Sequence, residues 1–108
     1  MENQLVLFYI PIISKEAASQ LVATLIEEKL IACANIIACD SIFMWEEELT
    51  FNPEYIIVAK SQMILSAKIE KRVSELHPYD TACILQIPAQ SNGKFLSFVQ
   101  SVTTVDEK

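Results

Sequence analysis

The sequence predicts an α+β fold in which a four-stranded antiparallel sheet carries two helices on one face and is followed by a last helix. Two patterns and a length predict it. Apolar runs of strand character and apolar stripes of helical period follow one another in the order β-α-β-β-α-β-α. The second and third strands are joined by a short acidic tip, with no helical segment between them. A chain of 108 residues suffices for one hydrophobic core but not for two, so residues 1–108 are read as a single domain.

The first strand is the unbroken apolar run Leu5 to Ile10, bounded by Pro11 and suited to an interior position covered on both faces. Ser14 is placed to cap the helix that comes next, with Glu16 in its first turn. Ala18, Leu21, Val22, Leu25, Ile26 and Leu30 then recur at steps of three and four, which predicts an amphipathic helix of about four turns. From Ala32 to Trp45 the helical period disappears. At about 3.3 Å per residue this second strand reaches roughly 40 Å, well beyond an ordinary strand. Glu46-Glu47-Glu48 forms the tip, and Leu49 to Ser61 returns as the third strand around Tyr55-Ile56-Ile57-Val58.

Ser61 is the expected cap of a second helix, with Leu65, Ile69, Val73 and Leu76 as its buried stripe and Lys68, Lys71 and Arg72 in solvent. That helix stops at His77-Pro78. Ala82 to Ile87 is the expected fourth strand, stopped by Pro88. Ser91 or Asn92 opens the final helix through Phe95, Leu96, Phe98, Val99 and Val102, and residues 103–108 are expected to fray. This element order is the split βαβ, or ferredoxin-like, arrangement. A lone hairpin as long as the predicted one, carrying Phe43, Trp45, Phe51 and Tyr55, would expose paired apolar surface, so neighbouring subunits are expected to cover it.

Composition narrows the function classes. Hydrophobic residues make up 52% of the chain and charged residues 20%, an oily balance that also points to subunit contacts. No apolar run approaches the roughly 18 to 20 residues of a membrane span, and the amino end lacks the pattern of a signal peptide, so the expectation is a soluble cytoplasmic protein. A formal charge of -6 opposes a phosphate backbone and excludes nucleic acid as a natural partner. Cys33, Cys39 and Cys83 form neither a disulfide framework nor a structural zinc motif, and are expected to be buried, reduced thiols. With Gly93 as the single glycine, no glycine-rich phosphate loop can form.

Four blocks carry a family resemblance: Glu28-Lys29-Leu30-Ile31-Ala32-Cys33-Ala34-Asn35-Ile36, Ser41-Ile42-Phe43-Met44-Trp45-Glu46, Lys60-Ser61, and His77-Pro78-Tyr79-Asp80-Thr81. In this order and at these intervals the chain resembles the CutA divalent-ion-tolerance proteins over nearly its whole length. The resemblance implies a ferredoxin-like protomer in a compact homotrimer, a role in tolerance to divalent metals and copper above all, and an architecture similar to the PII signalling proteins. It further implies a copper site built from the end of the first strand, the His-Pro-Tyr corner and a position shortly after it. In this chain those positions are Ile10, His77 and Cys83, where the family usually has Cys, His and Glu.

The candidate metal donors are therefore His77 and Cys83, a nitrogen and a soft sulfur that suit Cu(I) or Zn(II); the alternatives for His77 are a hydrogen-bonded corner residue and an interface contact. Trp45, Lys60 and Tyr79 are the candidate ligand-binding residues of a cleft between protomers. Lys60 is expected either to meet a small anion or to form a salt bridge to a neighbour's Glu46 or Asp80. No catalytic residue and no certain cofactor is expected, since no activated nucleophile or pair of buried acids stands out. Two functions remain open: a non-enzymatic metal-tolerance trimer, and a PII-like sensor that binds a small anion without a specific metal.

Overall fold

The computed structural model describes residues 5–105. Its elements are β1 (Leu5–Ile12), α1 (Lys15–Glu27), β2 (Cys33–Trp45), β3 (Glu48–Gln62), a 3-10 turn (Met63–Leu65), α2 (Ser66–Leu76), β4 (Leu85–Ala89) and α3 (Gly93–Val102). The sheet is antiparallel in the order β2-β3-β1-β4, as the split βαβ reading requires. Alternation along the strands sorts the side chains onto two faces. Val6, Phe8, Ile10, Ile12, Ile57 and Ala59 share one face and are buried with Leu21 and Leu25 of α1 and Ile69 and Val73 of α2. The opposite face carries Tyr9, Ile37, Leu85 and Ile87, all exposed, and α3 covers only its Leu5 end through Val99.

Where the elements begin and end differs from the sequence reading at several places, and β4, expected from Ala82, starts only at Leu85. Strand β1 runs through Pro11, which pairs with Ile56 of β3. Pairing with β4 ends at Tyr9, and the Pro11 carbonyl points to that vacated side, where it accepts a hydrogen bond from His77. In an extended strand the nitrogen points the same way as its own carbonyl, so the missing N–H breaks no ladder bond. Pro88 likewise lies within β4, which spans Leu85–Ala89 instead of stopping at Ile87; β4 is an edge strand, where proline is tolerated.

Helix α1 ends at Glu27, not Leu30. Lys29 adopts the left-handed conformation (φ 62°), the Lys29 N–H bonds to the Ile26 carbonyl and the Leu30 N–H to the Leu25 carbonyl, both at 2.9 Å. This is a Schellman closure, in which Leu30 packs back on the core and so mimics one more helical period. Ser14 caps α1 as expected, accepting from the Ala17 N–H at 3.0 Å. Ser61 caps nothing: it is buried inside β3 and its hydroxyl donates to the Leu30 carbonyl at 2.6 Å. Three further residues turn the chain before α2 starts at Ser66.

Part of the expected frayed tail is docked. Thr103 is buried and donates to the Val99 carbonyl at 2.7 Å while accepting from Gln62 Nε2 at 2.8 Å; the Thr104 N–H bonds to the Lys29 carbonyl and Val105 packs on the main core. The expectation for residues 106–108 lies outside the described residues. Between the helices, Arg72 grips Glu28 with two hydrogen bonds of 2.8 and 2.7 Å and Glu75 with one of 3.1 Å. The hydrogen bonds from Arg72 hold the Glu28 carboxyl below its usual range.

The long hairpin is present and overhangs the body. Strand β1 stops at the Ile12–Tyr55 pair, yet β2 and β3 continue through seven further pairs from Cys39–Glu54 to Trp45–Glu48, an arm about 20 Å long. The arm draws the radius of gyration to 14.6 Å, against about 13 Å for a compact chain of this length. It closes in two residues, Glu46 (φ 51°) and Glu47 (φ 68°), both left-handed. A two-residue hairpin with positive φ at both central positions follows the sheet's twist, and here two glutamates hold it without a glycine.

Candidate functional site

Where the arm leaves the body, three pieces of chain enclose a cleft of about 510 Å³. Phe43 and Trp45 of β2 and Thr50, Asn52 and Glu54 of β3 form its floor. They all lie on the face away from the helices, because each pairs within that face across the hairpin or along it. Pro11 and Ile13, at the end of β1, form one wall, and Tyr79, Asp80, Thr81 and Cys83 the other. The second wall exists because Pro78 follows the α2 cap: after His77 the chain turns outward and lies irregular until β4 begins at Leu85.

His77 holds that wall in place. It is buried, and its Nε2 lies 2.8 Å from the Pro11 carbonyl, which can only accept; Nε2 therefore carries the proton. Nδ1 then accepts the Tyr79 N–H at 3.1 Å, and the two rings meet edge to face at 4.7 Å. The imidazole thus takes the place of the missing β4 partner at Pro11 and clamps the corner to the sheet. The Tyr79 hydroxyl reaches across to Glu54, donating to Oε2 at 2.6 Å, and Ser41 donates to Oε1 of the same carboxylate. Burial first, and then the neighbouring Glu54 carboxylate, push the Tyr79 phenol above its ordinary value, so it stays a protonated donor.

The candidate residues of the sequence separate here. Trp45, Tyr79 and Cys83 meet at the cleft. Within one chain Lys60 lies apart from them: it sits six residues along β3 from Glu54, about 20 Å away, with its ammonium bonded to Asn35 Oδ1. Ile10 is sealed in the core on the opposite face, and both ring nitrogens of His77 are engaged. Copper therefore does not fit the corner of a single protomer as folded: a ligating imidazole needs a free lone pair, and Ile10 offers no donor. Among the described residues no three His, Cys, Asp or Glu side chains cluster as a metal would require. The three cysteines are free; Cys83 is exposed and Cys33 and Cys39 half-buried, so the expectation of buried thiols does not hold.

Sequence reasoning misses Glu54. Its one signal is a carboxylate just before the apolar run Tyr55-Ile56-Ile57-Val58, with the same parity as Val58. Nothing in the chain order reveals that the Tyr79 corner comes to rest over it.

A split βαβ chain with an overhanging hairpin and a cleft at the hairpin's root defines a class of small α+β proteins. The family follows from comparison: the model of the CutA1 divalent ion tolerance protein matches residues 6–102, and the chain belongs to that family. It is 32% identical over 103 residues to a divalent-cation tolerance protein CutA of Thermus thermophilus, covering 94% of this chain and 98% of that one. Among solved structures it is similar to the divalent ion tolerance protein CutA1 of Ehrlichia chaffeensis, with a TM-score of 0.90, 35% identity and coverage of 94% and 96%. CutA1 of Pyrococcus horikoshii gives a TM-score of 0.90 at 29% identity, with 93% and 99% covered. The function is that of a divalent-ion-tolerance protein.

Proposed function

We propose that the chain acts in divalent-ion tolerance as a non-enzymatic homotrimer of the cytoplasm, with the cleft beside Trp45 and Tyr79 as its ligand-receiving surface. The observation that carries this reading is the arm. Ile42, Met44, Leu49 and Phe51 lie exposed on one side of it and Phe43 and Trp45 on the other, so no single protomer can bury either side. Burial of one such side chain contributes roughly 1.5–3 kcal/mol, enough for a few per protomer to offset much of the entropy lost on association. Three copies close a ring of like contacts, which leaves no arm uncovered. Three free thiols, one of them exposed, suit a reducing compartment.

In this reading tolerance does not depend on a resident copper at His77, whose role is to hold the cleft wall. The sensor alternative keeps its cleft, and since no described Lys or Arg of the same chain lines the space, its anion would need a cation supplied by a neighbouring copy. Light scattering at micromolar concentration tests the assembly. The expected mass is three times the 12.2 kDa of one chain, and a folded species of single-chain mass removes the proposal. Calorimetric titration with copper and zinc tests the metal claim: His77→Ala is expected to leave stoichiometry and affinity unchanged, and loss of a binding event would make His77 a ligand after all.

A further inference from the structure

The arm is tied to the body by more than the two strands that run into it. Beyond the Ile12–Tyr55 pair it is a two-stranded ribbon, which twists more strongly than a wider sheet and is marginal on its own. Glu54 stands in the first pair of that ribbon, opposite Cys39. Its carboxylate is held from two directions: the Tyr79 hydroxyl donates to Oε2 at 2.6 Å, and the Ser41 hydroxyl of β2 donates to Oε1. Tyr79 is anchored in turn, its N–H donating to Nδ1 of His77 at 3.1 Å while Nε2 of His77 donates to the Pro11 carbonyl at 2.8 Å. Four hydrogen bonds thus run from β1 through the corner to both strands of the arm. All four lie within one chain, so a neighbour that covers the arm has none of them to replace, and by excluding water it strengthens them.

Resting on the reading that copies of the chain cover the arm, we infer that this relay is a brace: Glu54 and Tyr79 are positioning residues that fix the angle at which the arm leaves the body and so set how readily copies associate. An arm free to rock is aimed at a neighbour for only a fraction of the time, and the apparent affinity falls by that fraction for each arm engaged. The coupling is reciprocal. Association steadies the corner, and whatever pulls the corner away from Glu54 loosens the assembly. The corner, which belongs to the body, thereby controls contacts made along the arm.

Trp45, the chain's single tryptophan, sits in the last pair of the arm, so its polarised emission follows the arm's motion. Phe51→Asp, a charge on the exposed arm, is expected to hold copies apart. In that background Tyr79→Phe should add a nanosecond depolarisation of Trp45, and an unchanged decay overturns the brace. Without Phe51→Asp, sedimentation over a dilution series should show Tyr79→Phe dissociating at a concentration about tenfold or more above the parent, the factor expected for one hydrogen bond to a carboxylate. Ser41→Ala should act in the same direction. Tyr79→Phe added to Glu54→Ala should weaken association no further, because either change alone severs the relay. Additive effects, or a dissociation midpoint that does not move, overturn the inference while the assembly stands. A parent that stays a single chain at micromolar concentration removes the assembly reading instead, and the depolarisation of its Trp45 with and without the Tyr79 hydroxyl then judges the brace alone.

Discussion

At the base of the hairpin Ile57 and Ala59 are sealed beneath the helices, while Leu49 and Phe51, further along the same strand and facing the same way, are 62% and 65% exposed. Strand type, alternation and pairing with β2 are common to both regions, while β1 pairs with the base alone. The difference is that α1 and α2 are too short to follow the arm outward. Alternation therefore fixes which side chains share a face, but the layer packed on that face decides whether burial happens within one chain or between chains. The body is stabilised by its own core, and in the proposed assembly the arm is stabilised by its neighbours.

The largest effects should divide along that line. Phe8→Ala empties the fully buried centre and is expected to cost about 3–5 kcal/mol in urea denaturation. Phe51→Asp removes no contact with the core, so the far-ultraviolet circular dichroism should be retained while light scattering falls to the mass of one chain. If Phe51→Asp unfolded the dilute protomer, the arm would have to be counted as part of the core and the contrast would fail.

The junction between the two regions comes next. His77→Ala leaves the Pro11 carbonyl and the Tyr79 N–H without partners, an expected loss of about 1–3 kcal/mol in stability. It also frees the wall of the cleft, so proteolysis should begin in residues 79–84. Cleavage elsewhere, with this segment still protected, would show that something other than the imidazole clamps the corner.

Backbone strain sharpens the comparison at a smaller scale. Lys29, at the end of α1, and Glu47, at the arm's tip, both hold positive φ without being glycine. Left-handed geometry costs a non-glycine residue roughly 1–2 kcal/mol, partly offset by the backbone entropy that glycine loses. Lys29→Gly is expected to raise global stability by about 1 kcal/mol. Glu47→Gly should slow hydrogen exchange along the arm more than in β1, because the arm opens separately from the body. An equal effect on both would make the hairpin one cooperative unit.

The same division governs how much of the molecule is legible in its sequence. Periodicity finds every element, and the lengths of β2 and β3 reveal the overhang, because an arm of this kind is local chemistry. Element ends are legible only in part: at Leu30, Ser61, Pro11 and Pro88 tertiary partners decide. A Schellman closure imitates helical spacing, and a proline's place in a strand depends on which side lacks a neighbour. The cleft is half visible. Trp45, Tyr79 and Cys83 converge, whereas Lys60 of the same chain lies too far along β3 to reach them. Glu54 stays hidden because its partner Tyr79 is 25 residues away across a corner whose path is not written in any local pattern.

The smallest effect concerns the bond that ties arm to corner. The Tyr79 phenol is held above its ordinary value of 10.0, which means the folded chain binds its proton more tightly than the unfolded chain does. The stability tied to that proton is fully present below the unfolded value and is lost as pH rises from there through the folded value. Thermal unfolding should accordingly be insensitive to Tyr79 near neutrality and fall more steeply above about pH 10 in the parent than in Tyr79→Phe. Taking the difference between the two proteins cancels the lysines and the other two tyrosines, Tyr9 and Tyr55. Matching alkaline slopes would mean that the phenol titrates as it does in the unfolded chain. The Glu54 contact would then be too loose to join the arm to the corner, and the arm would depend on its neighbours alone.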